Sequence, residues 1–332
     1  MISIAYTVGL SMVQDLGRDR HYRHGVSVGG AMDRLALEMG NALLGNAPGS
    51  AGIEATLFPL KITFQEETEV AITGAHCAAN LDGRALPPNW AFLARKGQCL
   101  SLDRLLSGSF AYITFAGGID VPDILGSRST HLRCAFGGLE GRMLRSGDVL
   151  PLGPKPADRT ALDSIGFGVC EPSLQLPAPV SDVVPNGDTT LLRYLPAAEH
   201  DAFDAASLDA LVWTKWHITP HSSRAGYRLD GAKLQLKDKL EMRSHGIVPG
   251  VIQVPPGGAP IIQTADSQTS GGYPKIGTVI EADMWRLAQT RIGTHVRFVE
   301  TDYADALQAW KASQHYLSDI RANAKALREV QA

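Results

Sequence analysis

Between Ala265 and Gly277 the chain reads Ala-Asp-Ser-Gln-Thr-Ser-Gly-Gly-Tyr-Pro-Lys-Ile-Gly, which sets an acid, an amide, hydroxyls, a glycine pair, a phenol and an ammonium between two apolar runs. A hairpin needs only about two to five residues of turn chemistry, so this density asks for a further role. Asp266 can orient or deprotonate a substrate N–H, and Gln268 and Thr269 can fix an amide or carboxylate. Gly271 and Gly272 let backbone N–H groups approach an oxyanion, to which Tyr273 and Lys275 can donate. A strained loop bonded to itself would use Asp266 and Thr269 just as well, and the residue types alone leave both uses open.

Arg18, Arg128, Arg224 and Arg228 each stand beside glycine or hydroxyl residues in loop-like sequence. A guanidinium grips a carboxylate through two parallel bonds, so a small carboxylic acid or a carboxylated cofactor is a fitting ligand. The competing use is an ion pair with a loop acid such as Asp15, Asp120 or Asp266. Several polar glycine loops at one barrel rim would make a pocket. His21 and His24 lie near Asp15 but lack further ligands at a known spacing. Pro220, between His217 and His221, speaks against the helix that would put both on one face. No metal site is expected. There is also no phosphate loop, nucleophile elbow, His-Glu-x-x-His or dinucleotide fingerprint.

With 332 residues the chain suits two medium domains better than one. Hydrophobic residues at 44% and charged residues at 20% are those of a globular protein with a real core. A net charge of −3 with dispersed Lys and Arg disfavours nucleic acid. The first residues do not read as a secretory signal and no apolar run approaches a spanning length, so a cytoplasmic protein is expected, with no membrane partner. Cys77, Cys99, Cys134 and Cys170 form no Cys-x-x-Cys pair and read as small buried hydrophobes.

The elements that must position these residues are mostly short strands. Ile2 to Val8 reads as a first strand, Val13 to Val26 as an ordered polar loop, and Ala31 to Leu44 as a helix capped by Asp33 or the glycines before it. Short β-rich runs follow from 51 to 152: 60–64, 69–73, 78–81, 92–94, 99–102 and 110–115. Asp82-Gly83 is a hairpin turn signal. Residues 153–185 are rich in Pro, Ala, Ser and Asp and read as a linker. The second half offers strands near 190–195, 213–219, 250–254, 259–264 and 295–299, helices at 200–211 and within 280–289, and a last helix over 304–330. That helix carries few large apolar residues past Tyr316, so its end is expected to fray or to dock on a partner. Pro220-His-Ser-Ser-Arg-Ala-Gly weakly echoes Leu125-Gly-Ser-Arg-Ser-Thr, which suggests two related barrels.

Seven motifs in order resemble those of the biotin-dependent carboxyltransferase family, also called the allophanate hydrolase subunit 2 family. They are Val13-Gln-Asp-Leu-Gly-Arg, Gly29-Gly-Ala-Met-Asp, Asn41-Ala-Leu-Leu-Gly-Asn, Gly117-Gly-Ile-Asp-Val-Pro, Leu125-Gly-Ser-Arg-Ser-Thr, Gly250-Val-Ile-Gln-Val-Pro and Asp266-Ser-Gln-Thr-Ser-Gly-Gly-Tyr-Pro. The resemblance implies a mainly β chain of two tandem cyclophilin-like β-barrel domains with a few short helices, divided here as 1–180, 181–303 and a terminal helix, 304–332. In this family the urea carboxylase domain moves a carboxyl group from carboxybiotin to urea, and free-standing bacterial members look like components of ATP-dependent 5-oxoprolinase.

The expected activity is therefore ATP-dependent opening of the 5-oxo-L-proline lactam to L-glutamate. The alternatives are a biotin-dependent carboxyltransferase for urea or another small amide, and a non-catalytic regulatory partner. The resemblance also implies two partner proteins, one like allophanate hydrolase subunit 1 and one of the LamB/YcsF type. ATP would be bound with them; biotin enters only under the carboxyltransferase alternative. Asp266, Gln268 and Tyr273 are the expected catalytic residues. Gln14, Asp15, Arg18, Met32, Asp33, Arg128, Arg224, Thr269, Gly271, Gly272 and Lys275 are the expected substrate contacts. The sequence departs from the family pattern at Ser223 and Ala225, where Asn and Met are expected, and at His245, where Glu is common.

Overall fold

A computed structural model of the chain describes residues 1–155, 162, 165–172 and 188–330. Two compact units divide it: Met1–Arg18 with Gly29–Pro172 and Gln314–Ala332, and Asp19–Val28 with Ser173–Ser313. The division differs from consecutive spans in two places. A short stretch near the N-terminus belongs with the second unit, and the end of the last helix belongs with the first. The linker expected over 153–185 lies for the most part outside the described residues.

The first unit is built on strands β1 (Ile2–Thr7), β2 (Ser11–Gln14), β3 (Gly52–Ala55), β4 (Leu60–Phe64), β5 (Thr68–Leu81), β6 (Arg84–Leu86), β7 (Trp90–Ala94), β8 (Cys99–Phe115), β9 (Val149–Leu150) and β10 (Phe167–Gly168), with helix α1 (Arg34–Leu43). They form one sheet in the order β10-β7-β5-β8-β4-β1-β9, with β2 and β3 paired to each other, β3 also on β8, and β6 on β5. Four expected short strands are in fact two long ones. β5 and β8 run through the positions where the sequence suggests breaks, and their pairing shifts register between Gly74 and Ala79. Bulges of this kind bend a strand without ending it, which lets one pair serve both β7 and β4. Ile2, Ile4, Ile53, Leu60, Ile62, Phe64, Val70, Phe92, Leu100, Leu102, Ile113 and Phe115, all essentially inaccessible, make the core. The Asp82-Gly83 turn is as expected: both residues have positive φ and Leu81 pairs with Arg84.

Helix α1 starts later than its apolar pattern suggests. Asp33 is its N-cap, its carboxylate accepting from the Ala36 N–H at 2.9 Å, while the Ala31 N–H is spent on the Asp15 carbonyl at 2.8 Å. At the other end Gly45 is left-handed, the Gly45 N–H reaches the Ala42 carbonyl and the Asn46 N–H reaches that of Asn41. That is the paired closure that satisfies the last carbonyls of a helix.

The second unit holds β11 (Thr189–Pro196), α2 (Ala205–Trp213), β12 (Trp216–Ile218), β13 (Gly226–Asp230), β14 (His245–Gly246), β15 (Val251–Gln253), β16 (Ile261–Gln263), β17 (Ser270–Gly271), β18 (Lys275–Val279), α3 (Met284–Gln289), β19 (His295–Glu300) and the start of α4 (Tyr303–Val330). Seven of these strands close a barrel in the order β11-β18-β15-β16-β13-β12-β19. A ring with an odd number of strands cannot be antiparallel throughout, and the parallel pair is β11 with β19, from Thr189 opposite His295 to Tyr194 opposite Glu300. Along β19, Val296 and Phe298 are buried while His295, Arg297 and Val299 are not, the period-two pattern of a strand with one core face. β14 and β17 form a separate two-stranded ribbon. No helix is long and apolar enough to cross a membrane among the described residues.

The expectation for α4 needs correction. Its end neither frays nor waits for a partner, because it docks on the first unit. Leu317, Ile320 and Ala324 are buried, and the Tyr316 hydroxyl donates to the Cys170 carbonyl at 2.6 Å. Arg328 is buried too, lying 2.8 Å from Glu69 and donating to the Leu43 carbonyl. Spacing three or four apart along one face, not residue size, supplies the anchor. The cysteine expectation holds only in part: Cys77 is buried and its thiol pushed up to about 12 by desolvation, whereas Cys134 and Cys170 are exposed.

Candidate functional site

In the second unit the Ala265–Gly277 stretch leaves barrel strand β16, forms β17 and returns as β18. Its ribbon pairs Gly271 with His245 and Ser270 with Gly246, and the Ile247 N–H reaches the Thr269 carbonyl at 3.1 Å. The segment Asp19–His24, a 3-10 helix, belongs to the same unit, and there the Tyr22 hydroxyl donates to the Ile247 carbonyl. Burial pushes the Tyr22 phenol up, and its hydrogen bond with Ser267 pulls back. Residues expected only to be an ordered loop thus pin the ribbon.

Asp266, expected to orient or deprotonate a substrate N–H, is held in an ion pair with Arg224. Arg224 Nε lies 2.9 Å from Oδ2 and Nη2 3.2 Å from Oδ1, and the Asp266 N–H donates to the Arg224 carbonyl at 2.8 Å. Both carboxylate oxygens are engaged by the guanidinium fork and both side chains are mostly buried. The ion-pair use of Asp266 and Arg224, left open by the sequence, is the one realised: the pair ties the loop after β16 to the loop before β13. Arg224→Lys keeps the charge but loses the fork, and is expected to lower unfolding stability by about 1–2 kcal/mol. Denaturant midpoints measure this; an unchanged midpoint would show that the pair does not staple the loop.

The other expected residues of this stretch differ in what they present. Gln268 and Tyr273 are exposed, Tyr273 to 45%, and Thr269, Gly271 and Gly272 are half-buried. A Cβ on Gly271 would stand 2.7 Å from Gln253 Nε2, so a side chain there would press on the buried amide pair of Gln253 and Gln263, which are bonded at 3.1 Å. Lys275 Nζ sits 3.1 Å from Glu199 Oε2 and in hydrogen-bond contact with His245 Nε2.

In the first unit the expected substrate contacts are mostly spent on the protein itself. Asp15 is 7% exposed and accepts from the Gly17 N–H at 2.8 Å, the Ser127 hydroxyl at 2.6 Å, the Arg128 N–H at 2.5 Å and the Ser129 hydroxyl. It organises the Leu125–Thr130 loop from inside. Arg18, 1% exposed, donates to the Ser129 carbonyl at 2.6 Å and the Ile124 carbonyl at 3.3 Å and lies over the Phe136 ring. Gln14 is inaccessible and donates to the Thr130 carbonyl. Met32 and Asp33 are buried: the Met32 N–H donates to Glu54, the Asp33 N–H to the Tyr112 hydroxyl, and that hydroxyl to Glu54 at 2.7 Å. Burial first, then the charges of Glu54 and Asp33, pushes the Tyr112 phenol well up. These five residues are buried and bonded within the protein, and they shape the loops. Arg128 alone of the set keeps a substantially exposed guanidinium, at 40%, with Nε on the Val121 carbonyl and Nη2 3.2 Å from Asp120.

The glycines of this unit serve close packing. A Cβ on Gly137, where φ is +72°, would stand 2.1 Å from the Ser129 carbonyl oxygen and 2.8 Å from Arg18 Nη2, so the Gly137-Gly138 pair is what lets the Asp15 loop be lined from behind. No cluster of metal-ligating side chains occurs among the described residues.

A carboxyltransferase domain, subdomain A and B, matches residues 24–300 of this chain. The chain belongs to the carboxyltransferase-domain family. Among curated members it is 38% identical to the 5-oxoprolinase C subunit of Escherichia coli over 320 residues, 96% of this chain and 97% of that protein. It is 39% identical over 321 residues to the protein of the same name from Haemophilus influenzae, 97% of this chain and 98% of that protein. Among solved structures, the K. lactis urea amidolyase matches with a TM-score of 0.84 and 27% identity, covering 96% of this chain but 20% of that one. As expected of a carboxyltransferase-domain chain, β structure dominates and the second unit is a closed barrel; the first unit is a ten-stranded sheet.

Sequence reasoning missed Glu199, His245, Tyr22 and Ser267. Glu199 and Tyr22 stand far from the motif they support and carry no local signal. His245 had one, its departure from the family pattern.

Proposed function

We propose that the chain is the C subunit of an ATP-dependent 5-oxoprolinase, working with further subunits to convert 5-oxo-L-proline, ATP and water to L-glutamate, ADP and phosphate. One observation carries this reading. The similarity to two proteins named as the C subunit of 5-oxoprolinase is coextensive, 96% of this chain against 97% of the first, whereas the urea amidolyase likeness occupies a fifth of a much longer chain. A lactam is a resonance-stabilised amide, so its opening needs the carbonyl made electrophilic, a task for ATP. The sequence has no phosphate-loop motif, in keeping with nucleotide binding shared with proteins like allophanate hydrolase subunit 1 and with LamB/YcsF proteins.

On this reading the chain contributes polar contacts for a small cyclic amide with a carboxylate. Gln268 and Tyr273, exposed on the loop, offer an amide and a phenol to the lactam, and Lys275 on the same loop offers a cation to the carboxylate. Asp266 and Arg224 set the loop's shape, and Gly271 and Gly272 leave backbone N–H groups approachable.

The family model's own description favours a second reading, transfer of a carboxyl group to urea or another small amide. Biotin would then supply a carboxyl carrier. Lys233, Lys237 and Lys239 lack the methionine neighbours of a biotin-attachment lysine, so the carrier would come from another protein. Bicarbonate incorporation by the purified complex separates the two. The proposal expects no avidin-sensitive incorporation with urea; incorporation that avidin abolishes, without glutamate formation, would favour the second reading. A complex that forms but turns over neither substrate would leave the regulatory role standing.

A further inference from the structure

Three residues remote in sequence meet at the edge of the ribbon: Glu199 beside the 3-10 turn His200–Ala202, His245 on β14 and Lys275 at the start of β18. The Lys275 N–H and its Nζ both lie 3.1 Å from the same oxygen, Glu199 Oε2. Its ammonium also contacts His245 Nε2, and the other ring nitrogen, Nδ1, lies 3.1 Å from the Arg243 carbonyl oxygen. A carbonyl can only accept, so Nδ1 carries the ring proton and Nε2 presents a lone pair. An ammonium can only donate, so the direction of every bond follows: His245 Nδ1–H to Arg243, and Lys275 Nζ–H to His245 and to Glu199.

An ordinary ion pair tying the loop to the barrel would need Glu199 alone. A second, neutral acceptor that fixes the ammonium from another side is what a positioned cation needs. An ammonium has three protons, so with these two partners it can still donate to a ligand oxygen. The side chains of Lys275 and Glu199 are 15% and 16% exposed, sheltered from bulk water but reachable. His245 stands directly opposite Gly271, so the ammonium that it contacts lies beside the residue paired with the glycine ribbon.

We propose that Glu199 and His245 are positioning residues that hold Lys275 as the cation receiving an oxyanion at the Gly271-Gly272 ribbon. The ligand chemistry is a carboxylate or phosphoryl oxygen.

The kinetic test rests on the 5-oxoprolinase reading and uses the full complex. Lys275→Met is expected to raise one KM about tenfold to a hundredfold, the cost of one charge-assisted hydrogen bond, with kcat changed less. If the lactam's KM rises, the oxyanion is its carboxylate; if that of the nucleotide rises, the oxyanion is a phosphoryl group. His245→Ala should raise the same KM, and His245→Gln, whose side-chain oxygen can accept from the ammonium, should recover part of that loss. Both KM values within twofold in Lys275→Met, or in His245→Ala, would overturn the proposal. A measurement independent of turnover keeps this separate from failure of the functional reading. Nitrogen-15 NMR of the His245 ring in the full chain should show the Nδ1–H form with Nε2 shifted by Lys275→Met; an Nε2–H form would contradict the proposal even if 5-oxoproline is not the substrate.

Discussion

Replacing Asp15 by alanine is expected to lower unfolding stability by about 3–5 kcal/mol, the range found when a buried charged acceptor is removed from its donors. Four donors converge on this carboxylate: the Gly17 and Arg128 N–H groups and the Ser127 and Ser129 hydroxyls. With 7% of the residue exposed, water cannot replace it without opening the 125–130 loop. Asp15→Asn keeps the shape but turns one acceptor into a donor that faces another donor, so it too should destabilise. Equilibrium denaturation of the two variants gives the answer. A variant with wild-type stability and lost turnover would show Asp15 to be a substrate contact after all.

Arg193→Ala is expected to cost a similar amount in the barrel unit, about 3–5 kcal/mol. The Arg193 guanidinium meets Asp283 through Nε at 2.9 Å and Nη2 at 2.6 Å, and the Arg193 N–H adds a third bond at 2.8 Å. The side chains are 4% and 0% exposed. Truncating the arginine leaves a buried carboxylate with the backbone N–H of residue 193 and with Arg286, which lies 3.5 Å away. Burial, ahead of the opposing pull of Asp283 and the push of Arg193, holds the Arg286 guanidinium below its ordinary range. Losing Arg193 therefore strengthens the hold of Arg286 on its proton and offsets part of the cost. Replacing both partners with apolar residues should cost far less than the single change, since no charge is then left uncompensated. A loss under about 1 kcal/mol for Arg193→Ala would contradict this account of the pair.

The strand content, the turn at Asp82-Gly83 and the helix after Gly29-Gly30 were legible because each is set locally, by alternation, turn chemistry or a cap. The continuity of β5 and β8 was not, since bulges near Gly74 and Ala79 look in sequence like ends. The motif stretch was legible as a concentration of polar groups, but the division of labour within it was not. Asp266 and Gln268 stand two apart and read alike as candidates; only the arrival of Arg224, forty-two residues earlier, commits one of them to structure. The structural partners of Asp15 and Arg18 were not legible for the same reason. Ser127, Ser129 and Phe136 come from more than a hundred residues away, and polar residues in a glycine-rich loop serve packing and binding with one composition.

The most direct test is glutamate formation from 5-oxo-L-proline by the subunits purified together, with and without this chain and with and without ATP. The account predicts ATP-dependent glutamate only when the chain is present, with turnover lost in its absence and restored when the purified protein is added back. Full activity of the remaining subunits without it would contradict the assignment.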